Sequence, residues 1–200
     1  MPESSSPSSS SPSSSSPSSR TAQVESLMHT LRAKSPIYGL ILADMHLVDV
    51  HAGSVTLRIR LTPTHLNSKG GLHGAVSATM VDFVTGLAIC AHDLRETTGA
   101  SVDMHLSFLA TARVDDVLVV RATAERVGGN LAFVTVRINK IVGEGTKSTE
   151  LTRLTKSTEP TESTEGVVEK PVTLAQHTKF VRGTGRAVEG AVEGAVEGGS

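Results

Sequence analysis

GAVSATMVDFVTGLAICAH, residues 74–92, decides how the rest of the chain is read. Its positions are apolar or small almost all round: Ala75, Val76, Ala78, Met80, Val81, Phe83, Val84, Leu87, Ala88, Ile89, Cys90 and Ala91. At 19 residues it is too long for an ordinary strand. A helix that is apolar on every side is buried on every side. The only charged residue before the terminal His92-Asp93 is Asp82. Aspartate is a poor mid-helix residue, and an unpaired buried carboxylate is costly. Asp82 is therefore either a partly solvated residue at a packing seam or a carboxylate held in a cleft as general base or nucleophile.

Immediately upstream, Gly70-Gly71-Leu72-His73-Gly74 leads into the N-terminus of that helix. Helix N-termini present unpaired N–H groups and the positive end of the dipole. Gly74 lets a ligand approach the backbone, so an oxyanion hole is one reading and a tight loop-to-helix turn is the other. Gly74 and Asp82 are eight residues apart, about 12 Å along one helix at 1.5 Å per residue. A reacting carbonyl needs both groups within about 3 Å, so one helix is unsuited to supply both. Two antiparallel copies could, which points to a twofold homodimer with composite sites, or a dimer of such dimers.

Working outward, Val24, Leu27, Met28 and Leu31 recur at helical spacing, and that helix ends before Pro36. Strand-like runs cover residues 37–50 and 54–61, with a turn at Ala52-Gly53. The second run alternates Val55, Leu57, Ile59 and Leu61 with polar residues, the period of a half-buried strand. After the apolar helix, Val102, Met104, Leu106 and Phe108 alternate with Ser101, Asp103, His105 and Ser107. Runs at 116–127 and 130–142 flank Gly128-Gly129, a favoured hairpin turn, and 172–182 gives a last strand. Antiparallel strands around a single helix make an α+β domain, a sheet curled round a central helix.

The 200 residues carry 19 Lys+Arg against 20 Asp+Glu, net −1, which argues against a nucleic-acid partner. A single cysteine, Cys90, excludes an internal disulfide, and no run approaches 18 consecutive apolar residues, so no membrane-spanning helix is expected. Residues 1–19 hold 13 Ser and 4 Pro and are expected to be disordered. KSTE at 147–150 and 156–159, and ESTE at 162–165, mark 144–170 as a repetitive surface insertion. AVEG repeats fill the tail 184–200. The folding unit is thus residues 20–183 without the insertion, with a net charge of +4 that suits a small polyanionic ligand. No targeting signal is legible, so the expected compartment is the cytoplasm, with the mitochondrion the alternative.

The string NSKGGLHGAVSATMVD, residues 67–82, resembles the hotdog-fold acyl-CoA thioesterases of the thioesterase 13 and phenylacetyl-CoA-pathway type. GASVDMHLSF at 99–108, LAFVTV at 131–136 and HTK at 177–179 are similar too, so the match covers most of residues 21–183. The resemblance implies that the Gly74 N–H binds the thioester oxygen with Asn67 assisting. It further implies that Asp82 of a partner subunit activates water or attacks directly. Ser101 would help position the nucleophile, and His73 would shape the site. CoA would lie along Phe108 to Arg113 and along Arg126, Gly128, Gly129 and Asn130 to Leu131. Arg113 and Arg126 are reasonable phosphate partners, and the two glycines can expose backbone donors. The resemblance implies lipid metabolism and no cofactor. Residues near Phe83 and Thr85 are candidates for acyl preference. The insertion could change access to the site rim.

Rival readings fare less well. A hotdog hydratase would carry an Asp and a His five apart, but Leu87 follows Asp82 at that spacing. The G-x-S-x-G of a serine hydrolase is absent. Asp44/His46, Asp49/His51 and Asp103/His105 are only two-ligand pairs, so no metal is expected. The remaining alternative is a non-catalytic acyl-CoA-binding or sensing module, which would not need Asp82, Asn67 and Ser101 together.

Overall fold

The apolar segment is the spine of the structure, a computed structural model that describes residues 17–142 and 168–182. Helix α3, Gly74–Asp93, starts from His73 as N-cap and ends on Leu94 in the left-handed region. Phe83, Leu87, Ile89 and Cys90 on it have no exposure at all. By length and composition it could cross a bilayer, but within this fold it is the core helix. A six-stranded antiparallel sheet on one side and a helix on the other bury most of it, but Ala75, Ala78, Thr79 and Asp82, one stripe of its first half, are not buried, so the expectation of burial on every side fails there.

Around it run α1 (Pro17–Lys34), α2 (Pro36–Ile41), β1 (His46–His51), β2 (Ser54–Arg60), a 3-10 turn (Pro63–His65), β3 (Ala100–Phe108), β4 (Val117–Val127), β5 (Leu131–Val142) and β6 (Val168–Phe180). The spatial strand order is β1-β2-β4-β5-β6-β3. The expected α+β sheet around a central helix is therefore the architecture found. Val55, Leu57 and Ile59 face the helix, as their alternation requires. Gly53, with φ +76°, closes the β1–β2 hairpin. On α1, Val24, Leu27 and Met28 are buried as their spacing implied.

Three local expectations are corrected. Residues 37–50 do not form one strand, because their first part is helix α2. Pro36 occupies the first turn of that helix and Ser35 is its N-cap. A proline that stops one helix is also pre-set to begin another. Second, β3 lies at the sheet edge and is largely exposed on both faces, with an irregularity between Ser101 and Asp103. Third, β6 begins at Val168, before the expected Val172, because Glu169 is clamped there. Arg121 meets its carboxylate through two bonds of 2.6 and 2.8 Å, and Asn139 adds a third at 2.9 Å. The expectations for residues 1–16, 143–167 and 183–200 lie outside the described residues.

Candidate active site

Asp82 sits at mid-helix, and its two carboxylate oxygens are held separately. Lys179 Nζ on β6 donates to Oδ1 at 2.7 Å, and Ser101 Oγ on β3 lies 3.3 Å from the same oxygen. Tyr38 Oη on α2 donates to Oδ2 at 2.5 Å. Burial by itself would raise this carboxyl, but the bonds from Lys179 and Tyr38 and the Lys179 charge outweigh it. Asp82 is therefore held below the usual aspartate value and is ionised at neutral pH. Burial, then the Asp82 bond, pushes the Tyr38 phenol up, so it remains a donor.

His177 completes the cluster from the floor of the sheet, where it is 1% exposed. Burial, reinforced by the Lys179 charge, lowers its pKa, so the ring is neutral at neutral pH. Proton counting assigns the tautomer. Thr85 Oγ1 donates to the Val81 carbonyl at 2.7 Å, so it can only accept from His177 Nδ1 at 3.2 Å. Nδ1 then carries the proton and Nε2 accepts. Ser101 Oγ is 3.0 Å from Nε2, and it receives Lys179 Nζ at 3.3 Å. Its one proton is thus shared between His177 and Asp82. Ser101 links the imidazole to the carboxylate and can turn toward either.

The helix N-terminus is built differently. Val76 and Ser77 N–H groups bond to the His73 carbonyl, and the His73 Nδ1 accepts the Ala75 N–H at 3.1 Å. The Gly74 N–H, at the first helical position, has no protein acceptor among the described residues. It opens on a cleft of about 390 Å³ lined by Leu72, Ser77, Phe108, Thr111 and Thr173. A Cβ at Gly74 would stand 3.3 Å from the Phe108 ring. Asn67 is spent on its own loop: Oδ1 accepts the Lys69 and Gly71 N–H groups at 2.9 and 3.2 Å, and Nδ2 points to the Leu72 carbonyl at 3.4 Å. It shapes the approach to α3.

These residues divide between two ends of the sheet. Phe108 pairs with Thr173, whereas Ser101 pairs with Lys179, six residues further along β6 and about 20 Å away at 3.3 Å per residue. The CoA-binding candidates divide in the same way. Arg113 precedes β4 at the Gly74 end, with its backbone N–H on Asp116 Oδ2 at 2.8 Å. Arg126 and the Gly128-Gly129-Asn130 turn follow at the far end, where the Asn130 carbonyl accepts from Val181 at 2.8 Å. Each protomer thus presents Gly74 with Phe108 and Arg113 at one end, and Asp82 and Ser101 with Arg126 and Asn130 at the other.

Sequence reasoning did not single out Tyr38, Thr85, His177 and Lys179 as members of the cluster. One signal was available: Thr173, Ala175, His177 and Lys179 share the buried parity of β6, so two ionisable groups stand where apolar ones belong.

An antiparallel sheet curled round one long central helix is the hotdog fold, the architecture of a class of thioester hydrolases. Comparison with known proteins agrees. Residues 69–145 match the thioesterase superfamily. Acyl-coenzyme A thioesterase 13 of Homo sapiens is 30% identical over 127 residues, 62% of this chain and 90% of that protein. The zebra fish thioesterase superfamily member 2 structure covers 78% of this chain and 94% of its own, with a TM-score of 0.58 at 24% identity. A hypothetical thioesterase of Streptococcus pneumoniae, solved with coenzyme A, covers 72% and 90% at a TM-score of 0.54 and 20% identity. At those identities the two structures speak for the fold. The chain belongs to the thioesterase superfamily.

Proposed function

We propose that the protein hydrolyses an acyl-CoA to the free acid and CoA at sites shared between two protomers. In this reading Asp82 of one protomer acts on the thioester carbonyl, as base for an attacking water or as direct nucleophile. The Gly74 N–H of the other receives the oxygen as it gains charge. The observation that carries it is the division just described. The ionised carboxylate and the open amide lie eight residues, about 12 Å, apart along α3, too far to meet on a single carbonyl.

The edge strand β3 offers the means of joining them. Val102 and Phe108 on it are 57% and 60% exposed, and the strand has pairing groups on its free side. Antiparallel pairing of two β3 strands about a dyad near mid-strand would set the Ser101–Asp82 end of one copy against the Phe108–Gly74 end of the other. The same pairing would unite the Phe108–Arg113 stretch of one copy with the Arg126–Asn130 stretch of its partner around one CoA. The acyl-CoA class is supported by the 30% identity to acyl-coenzyme A thioesterase 13 over most of that protein.

Complementation tests the shared site. Asp82→Asn and Gly74→Pro each remove one half. Pro is tolerated at a first helical position but has no N–H. Unfolding and refolding an equal mixture gives mixed dimers with one intact site, so about a quarter of wild-type thiol release from acyl-CoA should return. A mixture as inactive as its components would show that both groups serve within one protomer.

A further inference from the structure

We infer that Tyr38 is a positioning residue for the Asp82 carboxylate, so that helix α2, outside the segment matching the superfamily, forms part of the catalytic apparatus of this chain. The inference deepens the proposed reaction and rests on Asp82 acting there as base or nucleophile. Its basis is the unequal treatment of the two carboxylate oxygens. Oδ1 faces the sheet and meets Lys179 and Ser101. Among the described residues Oδ2 has one partner, the Tyr38 hydroxyl at 2.5 Å. With Lys179 alone the carboxylate could pivot about Cβ–Cγ. With a donor on each oxygen its plane is fixed, and the remaining lone pairs keep one direction.

The phenol is itself fixed from several sides. Its ring meets Phe83, the neighbour of Asp82 on α3, edge-to-face with centroids 5.1 Å apart. The Arg32 guanidinium of α1 lies 5.7 Å over the same Phe83 ring and bonds the Met45 carbonyl. His65 Nε2, 2.8 Å from the Ile41 carbonyl, ties the end of α2 to the turn before the Gly74 loop, and His65 Nδ1 accepts the Thr62 N–H at 2.8 Å. Tyr38 therefore reaches Asp82 from an element braced by α1, α3 and the loop that ends at Gly74. The ionisable groups facing the carboxylate are Tyr38 from α2 and His177 and Lys179 from β6, with Arg32 of α1 one ring away.

The test is Tyr38→Phe, which keeps the ring and its packing, beside Tyr38→Leu, which removes both, and Asp82→Asn. Kinetics of thiol release from an acyl-CoA and the 13C NMR titration of the Asp82 carboxyl, assigned by its loss in Asp82→Asn, are followed on the full chain. For Tyr38→Phe we expect kcat to fall about ten-fold with KM unchanged and Tm lowered only slightly, the worth of one good hydrogen bond to a charged group. The Asp82 titration and the acid limb of the rate should both move to higher pH, because a donor that favours the ionised form is gone. A purely structural tyrosine would leave Tyr38→Phe like wild type and show its effect only in the Tm of Tyr38→Leu. Unchanged kcat and an unmoved Asp82 titration in Tyr38→Phe overturn the inference. Full activity in Asp82→Asn overturns the reaction instead, and the NMR titration still decides whether Tyr38 governs the carboxylate.

Discussion

At one end of the α3–β6 surface the Asp82 carboxylate is met by Lys179, Tyr38 and Ser101. At the other, the Gly74 N–H opens on a cleft and meets no acceptor among the described residues. The contrast follows from what each group costs. A half-buried charge without partners would be unstable by several kcal/mol, roughly the effective penalty per buried ion, so the fold must satisfy it in advance. A neutral amide at a helix start beside an open cleft can be left to water until a ligand takes it. The carboxylate is fully met within the protomer, and the amide is left open.

The strongest way to break that comparison is to disable each half. Asp82→Asn keeps shape and removes the anion, so kcat should fall on the order of 10²–10⁴-fold, the usual worth of a positioned acid–base group. Gly74→Pro should cost on the order of 10²–10³-fold, the worth of one oxyanion donor. His73 has φ −73° and ψ 131°, a conformation that a following proline accepts, and the Phe108 ring must shift slightly to admit the new Cβ 3.3 Å away. Thiol-release kinetics with circular dichroism of each variant check both. An active Gly74→Pro would mean that the open amide is not the donor.

Lys179→Met probes how the finished half is held. Asp82 titrates below the ordinary 3.8 in the fold, because the Lys179 and Tyr38 bonds outweigh burial. A depressed carboxylate contributes stability above its unfolded pKa and loses it as pH falls through the folded one. Removing Lys179 should therefore cost about 1–3 kcal/mol at pH ~7, less than for a fully buried pair because the Asp82 side chain is 33% exposed. The cost should shrink as the solution is acidified through the depressed Asp82 pKa of the wild type, below which both proteins protonate the carboxylate. Urea unfolding above and below that pKa measures this. A destabilisation independent of pH would assign Lys179 a packing role alone.

How far the two halves were legible follows from how local each signal is. Helix α3 is written in one contiguous run at residues 74–92, and the β2, β4 and β5 strands in runs of about a dozen residues or fewer, and they stand as read. Gly74 and Asp82 stood out because each breaks the pattern of one helix. The donors around Asp82 could not be found that way: Tyr38 is 44 residues away and Lys179 is 97. Lys179 meets it only because β6 lies between β5 and the edge strand β3, and Tyr38 only because α2 packs beside α3, pairings that no local window contains. Helix α2 was hidden for a smaller reason, since six residues carry too little periodicity to outweigh the apolar run that continues into β1.

The smallest effects should come from the two arginines that border the halves. Arg113 and Arg126 are both exposed, Arg113 before the start of β4 and Arg126 near the end of that strand, which spans Val117–Val127. If one CoA is gripped by Arg113 of one protomer and Arg126 of the other, Arg113→Ala and Arg126→Ala should each raise KM about two- to five-fold with kcat unchanged, the scale of an exposed ion pair. Both increases should fade at high salt, because solvated charges are screened within about 10 Å at 0.1 M. Arg60→Ala, a charge on the outer face of β2, serves as the control. An effect at only one arginine would sharpen the comparison in a different way, by placing the polyanionic part of the ligand at one end of the sheet and leaving the other end to the acyl group.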